Sequence, residues 1–165
     1  MQQTTTPASA LVIDARTFLT HWQGHRGLTR RVLAAFPEPE LSRFSMGGMR
    51  PFSTMVLELA DIASAGVRGI ATREWPVVHP HDGSTGPTSR DAILTMWDDT
   101  TAVIEEMWPK IPTERFLETD TAFGQYPGRI CDFLLYFVDN EIHHRGQGYV
   151  YLRALGVAPP AFYER

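Results

Sequence analysis

The sequence holds a single cysteine, Cys131, in 165 residues. One thiol excludes an internal disulfide and any multi-cysteine metal site. Set between Ile130 and Phe133, it reads as a small buried hydrophobe and not as a nucleophile. Basic residues are scarce too: 15 Lys and Arg against 19 Asp and Glu give a net charge of −4. The cations are scattered along the chain, whereas phosphate-backbone binding needs a concentrated basic face, so nucleic acid is not an expected partner. No apolar run approaches the roughly 18–20 residues of a membrane span, so no membrane partner is expected. The chain has no glycine-rich phosphate loop, no nucleophile elbow, no Ser/His/Asp grouping and no internal repeat. Met1 to Ser9 are polar and lack the basic-then-apolar order of a secretion signal. Residues 1–10 therefore read as a disordered tail and the protein as cytoplasmic.

What is present is an ordinary globular balance, 43% hydrophobic and 21% charged, in a length suited to one domain over residues 11–165. Four segments carry helical periodicity. The first spans about Asp14 to Phe36, with Phe18, Trp22, His25, Thr29, Val32 and Phe36 on one stripe, and Pro37 and Pro39 end it. The second runs from Pro51 to about Ile70 on Phe52, Met55, Leu59, Ile62 and Gly66. A long loop rich in Pro, Gly, His and Ser follows, from about Thr72 to Pro87; its length predicts a crossing of the molecule or the border of a site. The third helix opens at Thr88 or Ser89, presents Ile93, Met96, Trp97, Thr100, Ile104 and Met107, and closes at Pro109 and Pro112. Residues 113–128 form a loop with some extended character. The fourth helix spans about Arg129 to Leu155, with Gly156 as its stop. The apolar, proline-containing tail after it is expected to fold back. Four amphipathic helices make an all-α, four-helix bundle.

The last helix is the most informative segment. At 100° per residue, Phe137, Glu141, His144, Gly148 and Tyr151 share the buried face, Asn140 sits on its shoulder, and His143 points outward. Glu141 and Arg145 stand one turn apart, at ion-pair spacing. A carboxylate and an imidazole on an inner face need a partner or a ligand. They are either a structural pair and a hydrogen-bonded histidine or parts of a site. Gly146 and Gly148 each cost about 0.5–1 kcal/mol relative to alanine inside a helix, which predicts the close approach of another helix or a partner chain.

Residues Glu141-Ile142-His143-His144-Arg145-Gly146-Gln147, then Tyr149 to Arg153, Leu155-Gly156-Val157 and Pro159 to Tyr163, closely resemble the end of DinB/YfiT-like proteins. Trp22 with His25-Arg26, Met49-Arg50-Pro51-Phe52 and Glu74-Trp75-Pro76 are similar as well, so the resemblance spans nearly the whole chain. It implies a DinB/YfiT-type bundle with the long crossover between helices 2 and 3, and a homodimer. It also implies a divalent metal, commonly Zn or Ni, on three histidines: one from the second helix and two, four residues apart, from the fourth. Characterised relatives use low-molecular-weight thiols. This sequence departs at two of the three positions. His144 matches the last ligand, Asn140 stands where its histidine partner would be, and Glu58 aligns with the second-helix histidine. An amide oxygen is a weak ligand for Zn or Ni, so Glu58, Asn140 and His144 would favour a harder ion such as Mn, or would simply hydrogen-bond one another.

Elsewhere, His21 and His25 are a metal-capable pair at helical spacing, more readily explained by packing on Trp22 or a polar contact across the bundle. His79 and His81 flank Pro80 in the long loop and read as solvated. Three functions follow. The first is a stress-related, thiol-dependent transferase or hydrolase built on the Glu58, Asn140 and His144 metal site, with no catalytic residue assigned. The second is a non-catalytic dimeric bundle that binds a small ligand or a protein. The third is a metal-free small-molecule pocket in which Glu58 and His144 act as hydrogen-bonding groups.

Overall fold

The Asp14 side chain accepts a hydrogen bond from the Thr17 backbone N–H at 2.7 Å, an N-cap that starts helix α1, Ala15–Ala35. The structure, a computed structural model, describes residues 13–78 and 86–165. The expected disordered tail over residues 1–10, and His79 and His81, lie outside the described residues. A four-residue helix, α2 (Glu40–Arg43), follows the proline stop. Helix α3 (Phe52–Thr72) begins directly after Pro51. Helix α4 (Arg90–Met107) is capped by Ser89, whose side chain accepts from the Ala92 N–H. Two 3-10 turns, Trp108–Lys110 and Thr113–Leu117, lead into an antiparallel hairpin of β1 (Thr119–Ala122) and β2 (Tyr126–Arg129). The hairpin register pairs Thr119 with Arg129 and Ala122 with Tyr126. It delivers the chain into helix α5, Ile130–Ala154. Gly156, at φ +74°, reverses the backbone after it, and the Val157 N–H bonds back to the Leu152 carbonyl at 2.8 Å.

The four long helices therefore fall close to where periodicity places them. Helices α1 and α3 each pack against both α4 and α5, which closes a four-helix bundle. The segment read as a loop with extended character is a 3-10 turn plus a hairpin. It escapes periodicity because each strand has only four residues and β2 contains Pro127 and Gly128.

Two apolar clusters fill the bundle. One gathers Val32, Phe36, Phe52, Val56, Trp97 and Leu152; the other gathers Trp22, Val67, Ile70, Ile104, Phe137 and Val138. On α1 and α5 most of the buried residues between the clusters are polar: His25, Arg26 and Thr29 on α1, Glu141, His144 and Arg145 on α5. This polar belt divides the core and sets the position of the site. The tail folds back as expected, with Val157 packed against the first cluster and polar contacts beyond it. Arg31 Nη2 donates to the Glu164 carbonyl, while Phe162 and Tyr163 remain exposed. Cys131 is only partly buried, at the start of α5, because that end of the helix borders a surface cleft beside Phe18, Trp108 and Leu134.

Candidate functional site

Helical phase places His144 inward and His143 outward, and the structure agrees: His144 is buried and His143 exposed. Glu58 on α3 meets His144 on α5, with the Glu58 Oε1 to His144 Nε2 distance at 3.6 Å. The other Glu58 oxygen, Oε2, is ion-paired to Arg50 Nη1 at 2.5 Å. On the far side of the imidazole, His144 Nδ1 and Gln147 Oε1 are 2.7 Å apart. An amide oxygen can only accept, so Nδ1 carries a proton. When the ring is neutral its lone pair is then on Nε2, facing Glu58. The Gln147 amide N–H in turn donates to Met49 Sδ at 3.2 Å. Met49, Gln147, His144, Glu58 and Arg50 thus form a polar row linking the start of α3 to the middle of α5, open only at the 3.6 Å step between Glu58 and His144.

The electrostatics follow from these contacts. His144 in its imidazolium form, and after it Arg50, holds the Glu58 carboxyl down at about 2, against partial burial, which acts in the opposite direction. Glu58 is therefore an anion at neutral pH. Asn140 is half-buried one turn before His144, and its Nδ2 is buried with no hydrogen-bond partner among the described residues. Tyr136, one turn earlier again, is exposed at the same rim. Its hydroxyl is pushed up first by burial and then by the charge of Glu58.

Of the residues singled out from sequence, Glu58 and His144 come together directly. Asn140 shares the α5 face with His144, but among the described residues no hydrogen bond joins it to them. Sequence reasoning assigned no role to Arg50 or Gln147. Gln147 was legible in principle, since it stands three residues after His144 and so on the same face. Arg50 lies outside the helix, and no periodicity could reach it.

Glu141 and Arg145 belong to the belt and not to this site. Thr29 Oγ1 donates to Glu141 Oε1 at 2.6 Å. Arg145 Nη1 lies 3.6 Å from the same oxygen, and Arg26 Nη1 lies 3.9 Å from Oε2. Arg145 also donates to Thr29 Oγ1 at 3.0 Å and to His25 Nδ1 at 2.8 Å. Arg26 stacks its guanidinium 3.9 Å from the Trp97 ring centre and donates to the Trp97 carbonyl and Thr101 Oγ1. Burial pushes the Glu141 carboxyl up, with Arg26, Thr29 and Arg145 opposing. The His21–His25 pair is accounted for here: the two Nε2 atoms are 3.1 Å apart, and His25 makes the polar contact across the bundle. Burial, then Arg145, depresses His25 to about 4.

Among the described residues no three His, Cys, Asp or Glu side chains converge as a metal-ligand group, and no helix is long and apolar enough to cross a membrane. The fold is similar to two solved structures. A DinB-like protein from Bacillus cereus superposes with a TM-score of 0.72 at 20% identity, covering 90% of this chain and 97% of the other. A DinB-like protein from Bacillus subtilis superposes with a TM-score of 0.70 at 16% identity, covering 90% and 98%. At such identities the likeness establishes the fold alone. No curated protein matches the sequence. The DinB family profile, however, matches residues 1–165, the whole chain, and the chain belongs to the DinB family.

Proposed function

We propose that this DinB protein is a metal-independent, small-molecule-binding bundle, whose ligand presents a hydrogen-bond donor such as an amine or a hydroxyl to Glu58 and His144. The observation that carries this reading is the 3.6 Å separation of Glu58 Oε1 and His144 Nε2, which are two acceptors when the imidazole is neutral. That distance is too long for a direct hydrogen bond. With the Nδ1 proton held by Gln147, a neutral imidazole turns a lone pair toward an anion, an arrangement that a bridging donor group satisfies. Asn140 adds a buried N–H that lacks an acceptor among the described residues, as a ligand oxygen would supply.

A resident Zn or Ni ion fits these residues poorly. One imidazole, one carboxylate and one amide replace the three imidazoles that the family pattern implies. The carboxylate is already neutralised by Arg50 at 2.5 Å, and that guanidinium sets a positive charge against a second cation. The partly exposed Glu58 and Arg50 side chains leave the rim open to a ligand.

Calorimetric titration of tag-free protein with Zn, Ni and Mn tests the metal half of the reading. The expected result is no saturable binding tighter than about 10 µM, or roughly 7 kcal/mol. Removing the competing guanidinium in Arg50→Ala should strengthen whatever weak binding exists. A submicromolar site in the wild type, lost in Glu58→Gln and His144→Ala, overturns the proposal. Ethanolamine is a minimal probe for the ligand half. It should move the His144 imidazole nitrogen resonances in the wild type and not in Glu58→Gln.

A further inference from the structure

In a chain of net charge −4, one cleft is lined by three arginines and a histidine and by no acidic residue. It lies between the second half of α5 and the tail beyond it, with His25 and Arg145 of the belt in its wall, and has a volume of about 530 Å³. Gly146 forms part of its wall. A side chain added there would meet nothing within 4 Å, so this glycine, unlike Gly148, opens space and does not admit a neighbouring helix.

The cations of the cleft differ in what they already hold. Arg145 is committed to Thr29, His25 and Glu141. Because Arg145 donates to His25 Nδ1, the neutral His25 ring carries its proton on Nε2, which donates to His21. Arg165 Nη1 lies 3.3 Å from that same Nε2. A protonated nitrogen offers Arg165 no lone pair, so its guanidinium has no acceptor among the described residues. Arg153 reaches only the Tyr149 carbonyl, at 3.3 Å, and the face of the Tyr149 ring, 5.7 Å from its centre. Arg31, beside the cleft, reaches only the Glu164 carbonyl. No carboxylate among the described residues pairs with Arg31, Arg153 or Arg165, and Glu164, the acid of the tail, is exposed. The remaining wall is apolar, from Ile142, Pro159, Pro160 and the exposed rings of Phe162 and Tyr163. The Tyr149 hydroxyl is buried without a hydrogen-bond partner among the described residues.

We propose that this cleft binds a small organic anion, a flat apolar body carrying a carboxylate or phosphate, with Arg153 and Arg165 holding the oxyanion and the tail aromatics covering the body. Guanidinium groups suit both oxyanions because their paired N–H groups match two oxygens at once. The site is separate from the Glu58–His144 pair and does not depend on the reading given for it.

The test uses the full chain and two-dimensional amide NMR, with benzoate and phenyl phosphate as probes and benzamide and inorganic phosphate as controls. Saturating shifts are expected at Gly146, Tyr149 and Arg153. Benzamide and inorganic phosphate should each bind roughly tenfold or more weakly than the better aromatic anion. Whichever of benzoate and phenyl phosphate binds more tightly identifies the oxyanion. The double variant R153Q/R165Q should weaken binding by about tenfold or more, and Gly146→Phe, which fills the cleft from an exposed helix position, should abolish it. Thermal melting of both variants checks that the fold is kept, and one folded variant is enough to decide the question. The proposal is overturned if neither anion binds, if shifts appear only around His144, if a control matches the aromatic anions, or if a folded variant binds like the wild type.

Discussion

Glu141 and Glu58 both close on the polar side of α5, from positions that differ in access to water. Glu141 is 2% exposed, and its neighbours Arg26 and Thr29 are as deeply buried. Glu58 keeps 23% of its side chain exposed and Arg50 keeps 40%. The same carboxyl group is pushed up in the first setting, where loss of hydration dominates, and held at about 2 in the second, where His144 and Arg50 dominate. Two arginines near Glu141 do not outweigh its burial, whereas one arginine and one histidine outweigh the partial burial of Glu58. Access to water, more than the number of cations, separates an ion network that holds the fold from one available for binding.

Truncation should separate the two most strongly. Glu141→Ala leaves Arg26 and Arg145 buried without their anion and should cost about 3–5 kcal/mol of stability. Glu58→Ala removes a partly solvated pair and should cost about 1 kcal/mol or less. Urea denaturation of both variants measures the difference. Equal losses would mean that the Glu58 site is as structural as the belt, and the comparison would fail.

Acidification probes the belt alone through His25. Its folded value of about 4 lies below the ordinary 6.5, so between these two pH values the unfolded chain binds a proton that the folded chain refuses. Stability contributed by the neutral ring is complete above about 6.5 and is lost as pH falls toward about 4. The loss is on the order of 3 kcal/mol, because each pH unit between the two values is worth about 1.36 kcal/mol. His25→Gln should flatten that part of the stability–pH curve. An unchanged slope in the variant would place the titration elsewhere.

Most of the fold was legible because it is written in local chemistry. The stripes Phe18 to Phe36 and Phe52 to Gly66, the caps Asp14 and Ser89, and the stop at Gly156 each act within one or two turns of chain. The inward turn of His144 and the outward turn of His143 followed from helical phase in the same way. The partners did not. Arg50 meets Glu58 from beyond the helix start, Thr29 reaches Glu141 across 112 residues, and Arg165 approaches His25 across 140. Contacts of that span depend on how the helices pack, which a single sequence does not encode as a period. The resemblance alone drew attention to Glu58 and Asn140, as positions where it implies histidines. The structure adds Arg50 as the partner of Glu58 and Gln147 as the partner of His144.

The smallest expected effects come from the two glycines flanking Gln147, which meet opposite surroundings on one helix. Sequence predicts a close neighbour for both, and only Gly148 has one: a Cβ there would lie 2.6 Å from the Phe52 ring, while one at Gly146 would meet nothing within 4 Å. Phe52 is fully buried and stacked on Phe36, with ring centres 4.8 Å apart, so it has little room to yield. Gly148→Ala should therefore destabilise by about 1–3 kcal/mol through overpacking. Gly146→Ala should stabilise by about 0.5–1 kcal/mol, because alanine restricts the unfolded chain and costs nothing in the folded one. Paired thermal melts should shift in opposite directions. If both fall, Gly146 is also packed against something, and a partner chain would then cover the cleft that is open here.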